Sequence, residues 1–201
     1  MVAERERVRR SLGEGFKQQF GLDARALPEL ANEKRLDALC TIEADLMLPV
    51  DAMTRVAAAL PDQASAKALA RRLKLSNEER DRLVFALGDE VKITSYMSLR
   101  DMRRAIYRIG NEAFRDRVML AWAGAGGDKA QAWRALVAHA TMWKPPRLPL
   151  TGDEVMAAGV PAGPKVGLIM REVEDWWIDA DFPDDKLSII ERLKAVAQGM
   201  A

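Results

Sequence analysis

Four arginines recur within one short segment, and their spacing places them on one side of a helix. They are Arg100, Arg103, Arg104 and Arg108. At 100° per residue, these positions lie opposite the apolar stripe of the same segment. Guanidinium groups on one helix face can track the phosphates of a nucleic-acid backbone. We therefore treat this face, with Arg115 further along, as a candidate RNA-binding surface, although an ordinary solvated helix face fits the charges equally well.

A turn rich in glycine and proline, GVPAGPKVG at 159–167, is the second candidate site. Glycine permits close approach of the backbone, and the helix after the turn offers its N-terminal N–H groups to an anion. We expect Gly163, Lys165 and Gly167 to contact phosphate, as helix-hairpin-helix elements do. A tight connection between two helices is the simpler interpretation of the same residues.

The chain offers little for catalysis or metal binding. His139 is the single histidine and Cys40 the single cysteine, which excludes disulfides and multi-cysteine zinc sites. Asp179 and Asp181 have the D-x-D spacing of a two-metal site, but they follow a predicted helix instead of lying on a strand. We interpret them as part of an acidic loop and predict no catalytic and no metal-binding residues.

The elements that position these residues are helical nearly throughout. Ser76 and Glu79 form a capping box, Gly110 marks a break between two helices, and Asp128 is expected to cap another helix. The best strand candidate, 91–96, is short. The pattern predicts an all-α fold, in which an elongated helical array carries a body and a smaller C-terminal helical tail.

Three prolines within 145–149 interrupt the helical pattern, where the charge also changes sign. Residues 81–148 hold 12 basic and 7 acidic side chains (net +5), and residues 149–201 hold 5 and 10 (net −5). We predict a helical region over 1–145 and a helical tail over 146–201. A basic middle suits an anionic partner such as RNA, or the two oppositely charged segments attract each other.

The composition is that of a globular chain, with 49% hydrophobic and 30% charged residues over a length of 201. The longest uncharged apolar run, 118–127, is about half the length that a membrane span needs. The charged N-terminal residues show no secretory signal. We expect a cytoplasmic protein without a membrane partner, and the sequence leaves its oligomeric state open.

The segment PLTGDEVMAAGVPAGPKVGLIMREVEDWW resembles the C-terminal part of bacterial tRNA nucleotidyltransferases, the CCA-adding enzymes and their poly(A) polymerase relatives. The family pattern runs Leu-x-Gly-x-Asp-Leu, then Gly-Ile-x-Pro-Gly-Pro-x-x-Gly, then an amphipathic helix ending in Trp. The matching positions are Gly152, Gly159, Gly163, Pro164 and Gly167. ALARRLKLSNEERDRL and IYRIGNEAFRDRVMLAWA are similar to body segments, so the resemblance covers residues 25–195.

The resemblance implies an RNA-holding role without catalysis in this chain. In the family, an N-terminal head carries a Gly-Gly-x-x-Arg-Asp turn and a D-x-D pair on a strand, and neither stands in this sequence. The chain therefore resembles the neck, body and tail, as an excised fragment or a headless homologue. No cofactor is expected here, because Mg²⁺ and ATP or CTP would belong to the head.

The partner implied is tRNA or another RNA 3′ region, recognised by shape and backbone. The resemblance and the charge pattern assign phosphate contacts to the α-helical arginines and to the glycine turn. A helical protein-interaction scaffold without RNA binding is the main alternative, and it predicts salt-tolerant binding to a protein. A helix-turn-helix DNA-binding function, suggested by ALARRLKLSNEERDRLVFAL, has no dimer element to support it.

Overall fold

A computed structural model of the chain describes residues 31–127 and 129–199. Within these ranges all regular structure is helical, so the all-α prediction is confirmed. The helices are α1 (Glu33–Asp45), α2 (Ala52–Ala59), α3 (Gln63–Leu73), α4 (Asn77–Ala86), α5 (Leu99–Ile109), α6 (Asn111–Ala125), α7 (Ala130–Met142), α8 (Gly152–Ala157), α9 (Pro164–Asp179) and α10 (Lys186–Gly199). Asp128, the expected cap, lies outside the described residues.

Several helix boundaries follow local signals in the sequence. The predicted capping box of Ser76 and Glu79 begins α4, and Thr151 with Glu154 forms a second box at α8. Gly110, at φ 81°, separates α5 from α6 and confirms the predicted break. Residues 91–96 form no strand, and the proline segment 145–149 is non-helical as predicted.

The chain divides into two compact units, and the division does not correspond to a single cut along the sequence. One unit holds residues 31–98 with 109–143, and the other holds Leu99–Arg108 with residues 144–199. The division predicted at 145–146 does not anticipate that α5 groups with the tail helices. No described helix is both long enough and apolar enough to cross a membrane.

In the first unit, α6 is the central helix and packs against α1, α2, α4 and α7. It is buried on most of its surface, and Phe114, Val118 and Trp122 point into the core. Burial of one such side chain stabilises a fold by about 1.5–3 kcal/mol. The same burial forces Asp116, which is 1% exposed, to find partners inside the unit.

Asp116 is the centre of a charged network that joins α2, α4 and α6. Arg82 Nε donates to Asp116 Oδ2 at 2.9 Å, and Thr54 Oγ1 donates to Oδ1 at 3.0 Å. Arg82 Nη2 also donates to Asp51 Oδ2 at 2.6 Å. Burial raises the pKa of Asp51, but the hydrogen bonds from Arg82 and from the Thr54 N–H outweigh it and leave the pKa below its ordinary 3.8.

In the second unit, α9 packs against α8 and α10 through a stripe that includes Ile169, Val173 and Trp177. The indole Nε1–H of Trp177 donates to the carbonyl oxygen of Pro183 at 2.7 Å. Phe182 stacks edge-on against this indole, with ring centroids 5.0 Å apart. Tyr107 of α5 lies 5.7 Å from the same indole, so α5 joins the core of this unit through an aromatic cluster.

We predict that Asp116→Ala lowers the free energy of unfolding by about 1.5–3 kcal/mol, because the change removes the buried acceptor of Arg82 and Thr54 while Arg82 keeps its pair with Asp51. Asp81→Ala is the matched control. Asp81 pairs with Arg80 on the surface, where an ion pair contributes at most about 1 kcal/mol. Urea unfolding followed by circular dichroism measures both values. Equal losses for the two variants would contradict a structural role for the buried network.

Candidate nucleic-acid interface

The arginines of α5 form the face that the sequence predicts, and that face contacts acidic residues of its own unit. Arg103 Nη1 lies 2.7 Å from Asp181 Oδ2. Arg104 pairs with the carboxylate of Asp179. The pair of Arg103 with Asp181 is partly sheltered from water, with side chains 29% and 34% exposed, whereas Asp179 is 55% exposed in its pair with Arg104. The D-x-D carboxylates, of which Asp179 ends α9 and Asp181 lies just beyond it, are therefore counter-ions of α5.

The remaining arginines of this face are held more loosely. Arg108 Nη2 lies 3.8 Å from Asp175 Oδ1, and half of its side chain is exposed. Arg100 donates to the backbone carbonyl oxygen of Asp179. Each of the four arginines of this face thus contacts an oxygen of its own unit. The attraction between the basic middle and the acidic end is realised in these contacts, and a phosphate contact for these arginines stays a prediction.

The loop that carries Asp181 has an unusual backbone. Asp181 and Phe182 both have positive φ, at 62° and 60°, which costs a non-glycine residue about 1–2 kcal/mol. The ion pair of Asp181 with Arg103 and the packing of Phe182 against Trp177 offset this cost. The acidic loop is therefore fixed in place by the same contacts that occupy the arginines.

Arg115, the predicted RNA contact on α6, lies in the other unit beside the buried network. Its Nη2 is 3.3 Å from Asp51 Oδ2 and 3.4 Å from Asp116 Oδ1. Its side chain is 38% exposed. The structure therefore does not bring Arg115 together with the α5 arginines in one unit.

The glycine turn leaves the start of α9 open. Gly163 is the N-cap residue at φ 146°, makes no side-chain cap, and is followed by Pro164 in the first turn. The first N–H groups of a helix have no partner within it, and the dipole of this 16-residue helix favours an anion there. A Cβ added at Gly163 or Gly167 would meet no atom within 4 Å, so this surface is free of packing.

Two lysines flank this helix start. A groove of about 390 Å³ is lined by the turn residues Gly159 to Pro161, by Lys165 and by Lys194 of α10. Lys194 is exposed. The sequence prediction does not include Lys194, because the residue lies 29 positions beyond Lys165 and no local motif marks it. The packing of α10 on α9 brings the two ammonium groups to one groove.

A second basic groove lies between α3 and α4. It encloses about 400 Å³ and is lined by Lys67, Arg71, Lys74 and Arg80. One carboxylate, that of Asp81, also lines it and pairs with Arg80. The cluster of basic residues at 71–74 in the sequence marks this groove, and the fold adds Lys67 and Arg80 from neighbouring turns.

The single cysteine and the single histidine, which could serve catalysis, both lie in packed positions. Cys40 is 6% exposed in α1, and burial raises the pKa of its thiol, which keeps it protonated. The ring of His139 is half-buried and stacks on Trp143, with centroids 6.1 Å apart. Over 31–127 and 129–199, no group of three or more His, Cys, Asp or Glu is placed to hold a metal ion.

We predict that Arg104→Glu destabilises the protein by about 0.5–1 kcal/mol, because it places a negative charge against the half-exposed Asp179. Adding Asp179→Arg reverses the pair and recovers at least half of the loss. Asp179 is suited to the exchange because it lies in α9 with helical backbone geometry. A double-mutant cycle in urea isolates the coupling of the pair. Additive losses would show that the ion pair contributes nothing.

We predict that Tyr107 titrates far above an ordinary tyrosine. Burial, followed by its hydrogen bond to Glu174 Oε1 at 2.6 Å, raises the pKa of Tyr107 to about 12. The stabilisation is complete below pH 10 and is lost as the pH rises towards 12. The chain has two tyrosines, so the tyrosinate absorbance of a Tyr96→Phe variant reports Tyr107 alone. A midpoint near 10 would contradict the buried hydrogen bond.

Comparison with known proteins adds no relative to these observations. No protein-family model matches the chain, and no curated protein is significantly similar to it in sequence.

Proposed function

We propose that this chain binds folded RNA by its sugar-phosphate backbone, as a non-catalytic part of a tRNA nucleotidyltransferase or poly(A) polymerase. The observation that carries the proposal is the open start of α9, flanked by Lys165 and Lys194. Backbone N–H groups and ammonium groups are both donors that proteins use on phosphate. The groove between α3 and α4 supplies a further concentration of positive charge.

Gly167 supports a functional reading of the α9 start. It lies inside the helix, where glycine costs about 1 kcal/mol relative to alanine. Its added Cβ would meet nothing, so neither packing nor a neighbouring chain segment requires a glycine. Its φ is not positive, so the backbone does not require one either. Close approach of a ligand to the backbone would account for glycine at this position, which also matches a glycine of the family motif.

We predict that Gly167→Ala stabilises the protein by about 0.5–1 kcal/mol and yet weakens RNA binding, since the new methyl group holds a phosphate away from the helix start. Gly124→Ala is the matched control. Gly124 is also an exposed helical glycine with open space at its Cβ, but it lies on α6 in the first unit. Both variants should gain stability, and only Gly167→Ala should lose affinity for a tRNA without its CCA end.

The charge of the groove is tested in the same assay. Lys194→Glu reverses a lysine of the groove, and Arg171→Glu makes the same charge change on an exposed position of α9. We expect a much larger loss for Lys194→Glu, with a smaller slope of log K against log salt, because each phosphate contact contributes about 0.7–0.9 to that slope. Equal losses of affinity for the two variants would show that the net charge of the protein, and not a contact at Lys194, determines binding.

A protein-interaction scaffold remains the second candidate, and the occupied α5 face favours it. Four arginines that would attract RNA have acceptors within the unit. The scaffold predicts no tRNA binding at low salt and no effect of Gly167→Ala beyond stability. That pair of results would overturn the RNA proposal and leave the helical fold as the only assignment.

A further inference from the structure

The first unit contains a pocket that the proposed RNA contacts do not use. It encloses about 420 Å³ between the start of α1, the residues that follow α4, and one side of α6. This volume is in the range of small-molecule sites. Three of its lining residues are cations: Arg35, Lys92 and Arg117. The carboxylate of Asp89, on the exposed rim, is the one acidic group that lines it.

Arg35 carries a positive charge that the described residues leave without a counter-ion. Its Nε donates to the Ala58 carbonyl at 2.8 Å, and its Nη2 donates to those of Ala57 and Leu60. These neutral acceptors hold the side chain at the C-terminal end of α2. Burial lowers the pKa of Arg35, and no carboxylate among the described residues offsets this lowering. An anion in the pocket would lie beside a guanidinium that is already positioned.

Arg117 is more deeply buried, with a side chain 3% exposed. Its Nε donates to the Phe85 carbonyl at 2.6 Å, and its Nη2 pairs with Glu90. Its Nη1 is buried and has no hydrogen-bond partner. A buried donor without an acceptor costs about 1–3 kcal/mol. The wall formed by Arg117 is therefore one acceptor short in the structure as described.

The other walls of the pocket are apolar. Pro61, Val91, Ile93 and Leu120 line it beside the three cations. An inorganic ion would leave these side chains in contact with water, whereas an oxyanion on a hydrocarbon body would cover them. We propose that this pocket binds a small organic anion, with its carboxylate or phosphate group between Arg35, Lys92 and Arg117 and its apolar part against these walls.

The test follows the amide resonances of Gly88, Lys92 and Ile93, with the Nε–H of Arg117, in ¹H–¹⁵N spectra of the full chain. The probes are acetate, hexanoate, hexyl phosphate and neutral hexanol. We expect hexanoate to bind at least tenfold more tightly than acetate, because each buried methylene contributes about fourfold in affinity. Whichever of hexanoate and hexyl phosphate binds more tightly identifies the headgroup.

Two variants locate the site. Lys92→Ala removes an exposed cation and should weaken hexanoate binding at least threefold without affecting the fold. Gly88→Ala places a Cβ 2.3 Å from Arg117 Nη2 and from Glu90 Oε2, so the guanidinium must shift and binding should fall further. Arg134→Ala, which removes a cation from an exposed position of α7, is the control that should leave hexanoate binding unchanged.

Three results would overturn the proposal. Acetate and hexanoate of equal affinity would indicate an adventitious ion only. Hexanol as strong as hexanoate would show that the cations play no part. Equal effects of Lys92→Ala and Arg134→Ala would place the anion on the general basic surface. None of these results bears on tRNA binding at α9, so the two proposals fail independently.

Discussion

Charge pairing inside the second unit determines which cations of this protein remain for a ligand. Arg103 and Arg104 belong to the helix face that the sequence predicts as a binding surface, yet they pair with Asp181 and Asp179. A sheltered pair of this kind loses much of its field at the surface, because each charge is matched within a few ångströms. Among the described residues, the lysines of the α9 groove and the groove between α3 and α4 offer positive charge that these pairs do not neutralise.

The helical elements were predictable because their signals are local. The capping box of Ser76 and Glu79, the break at Gly110 and the prolines of 145–149 act through neighbours in the chain, and each boundary is found where its signal lies. The apolar stripe of α9 is similarly visible from periodicity, and its members Ile169 and Val173 are buried.

The partners of charged residues were much less predictable, because they depend on which helices meet. The arginine face of α5 and the acidic stretch after α9 are both evident in the sequence, but their contact joins residues 75 to 79 positions apart. Lys194 beside Lys165, and Arg35 beside Arg117, are likewise juxtaposed only by packing. Charge periodicity identifies a polar face without specifying whether a ligand, solvent or another helix covers it.

The interrupted course of the second unit has a consequence for synthesis on the ribosome. Its α5 segment precedes the rest of that unit by the 35 residues of 109–143, and Asp179 and Asp181 follow α5 by many more. At roughly 5–20 residues per second, α5 emerges several seconds before its acidic partners exist. During that interval the arginines of α5 lack these acidic partners, and the net charge of +5 on residues 81–148 is not yet balanced by residues 149–201. Transient capture of the α5 arginines by polyanions is thus a hazard of synthesis, and it ends when Asp179 and Asp181 are made and pair with them.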